Sequence, residues 1–159
     1  MAKLTVVAEP GTPFIKTTRD FAATPALLFR AWTEPELIAR WLGPRDHSLD
    51  IGEYDVRHGG RWAYGGASEQ GSYGFRGIFH GEPSVEAGIL QTFEFDGWPG
   101  HVSLDRVTFE PHGDTTTVRT WTVFQSVADR DGMIESGMEG GMAEGYDKLD
   151  ELIPELAGS

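Results

Sequence analysis

The chain has 159 residues, 39% of them hydrophobic and 24% charged, so it is long and apolar enough for one domain with a substantial core. Its formal net charge of −12 makes a nucleic-acid backbone or an anionic membrane surface a poor partner. The absence of cysteine excludes disulfides, thiolate chemistry and cysteine-based zinc sites. There is no signal peptide and no apolar run of about 18 residues, which favours a cytoplasmic protein.

The first residues, 1–12, are expected to be a leader or an extra edge strand at Leu4–Ala8, ahead of a single domain over 13–159. Phe14–Phe21 alternates between two faces, which predicts the first main strand. The segment that follows it is predicted to turn the chain into helical structure.

Two short helices are predicted after that strand. Thr24 stands before Pro25, as an N-cap residue stands before a proline at the first helical position. The corner Thr33–Pro35 ends the first helix and opens the second, which stops at Gly43–Pro44.

The middle of the chain predicts one strand after another. The predicted strands are His47–Val56, Arg61–Gly65, Ser72–Gly81, Ile89–Phe95, Val102–Glu110 and Thr115–Gln125. Connections of hairpin length between them indicate antiparallel pairing. A single sheet of this size must twist and curl, and its concave face must be covered.

The last thirty residues predict one long helix. Asp129 and Asp131 are its candidate N-caps, and Pro154 is expected to end or kink it. An apolar stripe follows the helical period: Ile134, Met138, Met142, Gly145, Leu149, Leu152 and Leu156. Each of the interior glycines costs about 1 kcal/mol relative to alanine, so tertiary contacts must hold the helix. The stripe is either ordinary core or the adjustable wall of a cavity.

These elements together predict an α+β helix-grip. A curved antiparallel sheet of six to seven strands wraps around the long C-terminal helix, and two short helices follow the first strand.

Three stretches carry a family resemblance: Phe29–Pro44, Val56–Trp62 and Val123–Leu152. They resemble bacterial proteins grouped with the activator of heat-shock-protein-90 ATPase, in the START/Bet v 1-like (SRPBCC) superfamily. The resemblance implies a cavity that holds an apolar small molecule between sheet and helix, and it implies no single activity. The eukaryotic co-chaperone of the group carries a further N-terminal domain, for which there is no room before Phe14. Chaperone activation is therefore not expected here.

No catalytic, metal or cofactor site is predicted. The five histidines are widely spaced and form no metal-binding or catalytic motif. Asp96 and Asp105 could face either side of the sheet, and a carboxylate pair for acid–base work cannot be assigned. His101 could approach a cavity mouth, and Trp98–Pro99 could cap that mouth, contact a partner or support a homodimer.

The aromatic residues give the candidate ligand site. The predicted cavity-lining residues are Trp41, Trp62, Tyr64, Phe75, Gly77, Phe79, Phe93, Phe95, Phe109, Thr120, Thr122, Met138, Met142 and Tyr146. These side chains could equally fill the space as core. Gly77 between Phe75 and Phe79, opposite a glycine-containing helix, favours open room.

The leading hypothesis is a non-enzymatic carrier or sensor of a small apolar or aromatic molecule, without cofactor. An enzyme of cyclase, dehydratase or hydrolase type is the first alternative, and its mark would be a buried histidine or carboxylate beside Tyr64, Tyr146 or Arg61. A chaperone-related or other interaction module is the second alternative, and it predicts an exposed apolar patch.

Overall fold

The computed structural model describes residues 2–158. Within this range the chain forms eight strands and four helices, in the following order: β1 (Thr5–Val7), β2 (Phe14–Phe21), α1 (Pro25–Thr33), α2 (Pro35–Trp41), β3 (Ser48–Tyr54), β4 (Arg61–Ser68), β5 (Gly71–Ile78), β6 (Ile89–Phe95), β7 (Val102–His112), β8 (Thr115–Val123), α3 (Val127–Glu135) and α4 (Met138–Ala157).

All eight strands belong to one antiparallel sheet in the order β1-β2-β8-β7-β6-β5-β4-β3. From β3 to β8 each strand pairs with the next along the chain, and β8 then pairs with β2. The α+β helix-grip predicted from the sequence is confirmed. Thr5–Val7 pairs with β2, which is the edge-strand alternative for the first residues, and the sheet has eight strands where six to seven were predicted.

Helices α1 and α2 form the predicted two-helix unit. The Thr24 hydroxyl accepts a hydrogen bond from the Leu27 amide at 3.1 Å, and Pro25 opens α1. Pro35 opens α2 directly after the extended Glu34. The indole of Trp41 donates to the Ala31 carbonyl at 3.0 Å, which locks the two helices together.

The C-terminal region differs from the prediction of one helix. It is divided at Gly137, which has a left-handed φ of +87° that side chains with a Cβ rarely adopt. The N-cap of α3 is Ser126, whose hydroxyl accepts from the Asp129 amide at 3.1 Å, so Asp129 and Asp131 are not caps. Pro154 does not end α4, which continues to Ala157.

Helix α4 covers the concave face of the sheet. Its buried face carries Leu149, Leu152, Ile153 and Leu156, and Arg19 of β2 is tied to it by Asp150 at 2.5 Å and Asp147 at 3.3 Å. A Cβ on Gly145 would lie 2.9 Å from the Trp41 carbonyl oxygen. This helical glycine therefore allows close packing on the end of α2.

In residues 2–158, no helix is both long and apolar enough to cross a membrane.

Candidate functional site

A cavity of about 230 Å³ lies between the concave face of the sheet and the helices. Trp32 of α1, Trp41 of α2 and Tyr146 of α4 form an aromatic wall on the helix side. Their rings contact one another, with 4.5 Å between the centroids of Trp32 and Trp41. The Tyr54 hydroxyl donates to the Trp32 carbonyl at 2.6 Å and holds β3 against this wall.

Part of the candidate ligand site predicted from the sequence lies on the cavity surface. These residues are Trp41, Tyr64, Phe93, Thr120, Thr122, Met138, Met142 and Tyr146. They lie on helices α2 and α4 and on strands β4, β6 and β8. Their role as ligand contacts stays a prediction.

The other predicted residues lie elsewhere. Trp62, Phe79 and Phe109 are fully buried in the core, while Phe95 is 36% exposed at the end of β6. Phe75 packs against Phe93 with 5.1 Å between ring centroids. Phe75 and Phe93 therefore belong to a cluster of aromatic rings on β4–β6, in which Tyr64 also contacts Phe75 with 5.6 Å between ring centroids.

Gly77 does not open space for a ligand. A Cβ built on it would meet the Thr92 carbonyl and lie 2.6 Å from Nε1 of Trp62. The missing side chain therefore makes room for the buried indole of Trp62, which stacks on Tyr64 at 4.9 Å. The expectation that small residues face each other across an open space is wrong at this position.

A row of polar side chains crosses the floor of the cavity. Asp105 of β7 pairs with Thr122 of β8 on one side and with Gln91 of β6 on the other. All three residues line the cavity, together with Ser103. Two residues from Thr122 along β8, the hydroxyl of Thr120 forms a hydrogen bond of 2.5 Å with that of Thr17 on β2.

Sequence reasoning left the direction of Asp105 open. The signal was nevertheless present, because Phe109 was predicted to face the cavity and strand residues two apart share a face. The same alternation points Asp105 and Ser103 inward, as the structure has them. By contrast, Asp96 lies exposed in an ion pair with Arg76 at 2.6 Å.

Asp105 is a half-buried carboxylate on the cavity floor, and the described cavity lining places no cation beside it. Burial raises its pKa to about 6, and hydrogen bonds from Thr122 and Ser103 limit the rise. Among the described residues that line the cavity there is no lysine, arginine or histidine. At pH 7 the carboxylate is therefore largely ionised and held mainly by hydroxyl groups.

Tyrosines supply the other titratable groups of the cavity. Burial raises the pKa of Tyr64 above its ordinary value, and the nearby carboxylate of Asp105 adds to this. Burial likewise raises the pKa of Tyr54 and of Tyr146. All three phenols therefore stay neutral at physiological pH.

The side of the cavity next to α3 and the start of α4 is lined by Met133, Met138 and Met142. Unbranched thioether side chains can repack around guests of different shape.

The guanidinium of Arg130 holds α3 against the N-terminal segment, donating to the carbonyls of Glu9 at 3.0 Å and Phe14 at 3.2 Å.

Trp98 does not line the cavity. Its ring stacks on His101 at 3.8 Å, and His101 pairs with Asp129 of α3 at 2.9 Å. The loop between β6 and β7 therefore fastens α3 from outside, and Trp98 remains 41% exposed. In the described part of the chain, no group of three or more histidines and carboxylates could hold a metal ion.

Comparison with known proteins supports the architecture. A family model described as Activator of Hsp90 ATPase homolog 1-like protein matches residues 22–153. No curated protein matches significantly. The fold is similar to that of a Rhodobacter sphaeroides protein, with 22% identity, coverage of 97% of this chain and 99% of the other, and a TM-score of 0.84.

Two further solved structures are also similar. Protein Ms6760 from Mycobacterium smegmatis is 19% identical, with coverage of 96% of this chain and 97% of the other and a TM-score of 0.85. A protein from Arthrobacter aurescens is 21% identical, with coverage of 95% and 91% and a TM-score of 0.84. At these identities the likeness concerns the fold. With the family match, it confirms the START/Bet v 1-like resemblance predicted from the motifs.

Proposed function

Because this chain belongs to the Activator of Hsp90 ATPase homolog 1-like family, whose fold commonly binds ligands, we propose that it binds a small, largely apolar molecule. The guest lies between the sheet and α4. The protein carries or senses this molecule without transforming it. Cytoplasmic location remains a prediction from the sequence.

The observation that carries this proposal is the cavity itself. Its aromatic wall of Trp32, Trp41 and Tyr146 faces a floor with a few polar groups, as small-molecule sites commonly do. An apolar cavity of about 150 Å³ admits benzene. The cavity of about 230 Å³ therefore suits one aromatic ring with a short substituent.

The first experiment asks whether anything binds. Native mass spectrometry of the purified protein, compared with its denatured mass, detects a guest retained through purification. Thermal unfolding with a panel of substituted benzenes then measures stabilisation. A guest present at a hundred times its Kd is expected to raise the free energy of unfolding by about 2.7 kcal/mol.

A pair of substitutions on β8 locates the binding. Thr122→Phe places a ring in the cavity, whereas Thr115→Phe places the same ring at the exposed end of the strand. Stabilisation by the panel should disappear in the first variant and persist in the second. If Thr122→Phe does not fold, Met142→Trp fills the cavity from α4.

Two outcomes would count against the proposal. If the panel gives no stabilisation and no retained mass, the cavity is only packing space. If Thr122→Phe and Met142→Trp bind the panel as the wild type does, the guest lies elsewhere on the molecule.

Catalysis is the second candidate function, and Asp105 is the observation that favours it. A half-buried carboxylate with a pKa raised to about 6, beside Tyr64, is suited to general acid–base work near neutral pH. Its place in the cavity beside Tyr64 supports the enzyme alternative that the sequence raised.

Proton exchange tests this candidate without knowledge of the natural substrate. Phenylacetone bound in the cavity would lose an α-proton to the Asp105 carboxylate and regain a deuteron in D₂O. Exchange followed by NMR should be faster with the wild type than with Asp105→Asn if Asp105 is a base. Equal rates at saturating ketone would leave the carrier as the only function of this site.

A protein-interaction role, including the chaperone-related activity in the family description, has one observation in its favour. Trp98 is 41% exposed on the loop between β6 and β7. Because the ring stacks on His101 at 3.8 Å, it also has a structural role in that loop. A homodimer through this surface stays a prediction, and sedimentation of wild type and Trp98→Ala would test it.

A further inference from the structure

The chain pairs its other deeply placed charges with opposite ones. Arg19, whose side chain is 2% exposed, is bound by Asp147 and Asp150. Arg130, whose side chain is 4% exposed, is bound by Asp131 at 2.9 Å and by backbone carbonyls. This is the usual arrangement, since a buried charge without a partner costs several kcal/mol.

Asp105 departs from this pattern. Its neighbours are the Thr122 hydroxyl and the Ser103 hydroxyl, the latter at 3.5 Å from the carboxylate. The described lining of the cavity supplies no cation. A carboxylate at the floor of an otherwise uncharged cavity lacks a positively charged partner. Such a partner would reach it through the cavity.

The aromatic lining of the cavity suits a cation as well. Trp41, Tyr64 and Tyr146 line the cavity, and the faces of such rings attract a positive charge within about 6 Å. The phenols stay neutral, so none of them repels a cation or supplies an anion at physiological pH. The net charge of −12 also raises the local concentration of cations around the protein.

We infer that the guest is a small amine, bound through its protonated nitrogen to the carboxylate of Asp105 with its apolar body against the aromatic wall. This inference rests on the proposed binding function and names the ligand class for the same cavity. An amine with one aromatic ring and a two-carbon chain fits the volume. A carboxylic acid of the same size is disfavoured, because its carboxylate would repel that of Asp105.

Three probes of one skeleton test the inference: 2-phenylethylamine, 2-phenylethanol and phenylacetate, each titrated by calorimetry at pH 7.5. A charge-assisted hydrogen bond in a buried site corresponds to about a ten- to hundredfold gain in affinity. We therefore expect the amine to bind at least about tenfold more tightly than the alcohol. Phenylacetate should show no binding.

A matched pair of variants tests the role of the carboxylate. Asp105→Asn should lower the affinity for the amine by about ten- to a hundredfold and change the affinity for the alcohol by less than about threefold. Asp114→Asn removes an exposed carboxylate from the turn before β8, changes net charge equally, and should leave both affinities unchanged.

The wild type provides a test that needs no variant. The titratable groups facing Asp105 are Tyr54, Tyr64 and Tyr146, and all stay neutral, so Asp105 alone should set the pH dependence below neutrality. The amine affinity should hold between pH 7 and 8 and fall about tenfold per pH unit below about pH 6, as the carboxylate gains its proton. The alcohol affinity should stay nearly constant.

The outcomes separate this inference from the function on which it rests. If the alcohol binds and the amine has no advantage, or if Asp105→Asn leaves their ratio unchanged, the inference is wrong and the apolar carrier stands. If none of the probes binds and the substituted benzenes also fail, both the inference and the proposed function are overturned.

Discussion

Replacement of Asp105 by asparagine is expected to make the protein more stable at neutral pH. Folding raises the pKa of this carboxyl from 3.8 to about 6, so the ionised form is less favourable in the folded state than in the unfolded state. A rise of about two pH units corresponds to about 3 kcal/mol. Loss of one hydrogen bond to a hydroxyl offsets about 1 kcal/mol of this, which leaves a net gain of about 2 kcal/mol.

The sign of the pH dependence follows from proton binding. Between about pH 4 and pH 6 the folded state binds more protons than the unfolded state, so this group lowers the stability of the wild type as pH rises. This loss of stability is absent below the pKa of the carboxyl in the unfolded state and complete above about pH 6. The advantage of Asp105→Asn should therefore be largest at pH 7.5 and disappear near pH 4.

Urea unfolding at pH 4, 5, 6 and 7.5 provides the measurement, with Asp114→Asn as an exposed control expected to change stability by less than about 0.5 kcal/mol. A difference between Asp105→Asn and wild type that does not vary with pH would refute the electrostatic reasoning. A variant that is less stable than wild type at pH 7.5 would show that the carboxylate is already compensated in the folded protein.

The remaining predictions concern packing and backbone conformation, and urea unfolding measures each of them. Arg19→Met should cost about 2–3 kcal/mol because it leaves the carboxylates of α4 without their buried partner, whereas Arg119→Met, which breaks an exposed pair, should cost less than about 1 kcal/mol. Gly137→Ala should cost about 1–2 kcal/mol because its φ is +87°. Gly140→Ala, with nothing within 4 Å of the new Cβ, should stabilise α4 by about 0.5–1 kcal/mol. Gly145→Ala should cost about 1–3 kcal/mol because backbone lies 2.9 Å from the new atom; a neutral result would show that α4 can shift away from α2.

The sequence predicts the architecture because the relevant signals are local. Alternation gives the strands, and Thr24 with Pro25 gives the start of α1, since the capping contact joins residues three apart. Ser126 offers the same local signal for α3. It was missed because the acidic residues that follow it are equally good caps by type alone.

The cavity could be predicted only in part because its shape depends on distant contacts. Trp62 and Tyr64 share one face of β4, yet Trp62 is buried and Tyr64 lines the cavity. Which of them borders open space depends on the curl of the sheet and on the room left by Gly77. The placement of α3 likewise involves a distant contact, from Arg130 to the carbonyl of Glu9 more than a hundred residues earlier.

The pairing of β2 with β8 determines when this cavity can form during folding. The Thr17–Thr120 contact on the cavity floor joins residues separated by 103 positions. Closing so long a loop costs conformational entropy that only the finished sheet and α4 offset, and folds dominated by such distant contacts form slowly. The hairpins from β3 to β7 can assemble from neighbouring segments, whereas the cavity floor forms only once β8 has paired with β7 and β2. During synthesis the cavity therefore cannot form before α4 has followed β8, because Met142 and Tyr146 of α4 complete its lining.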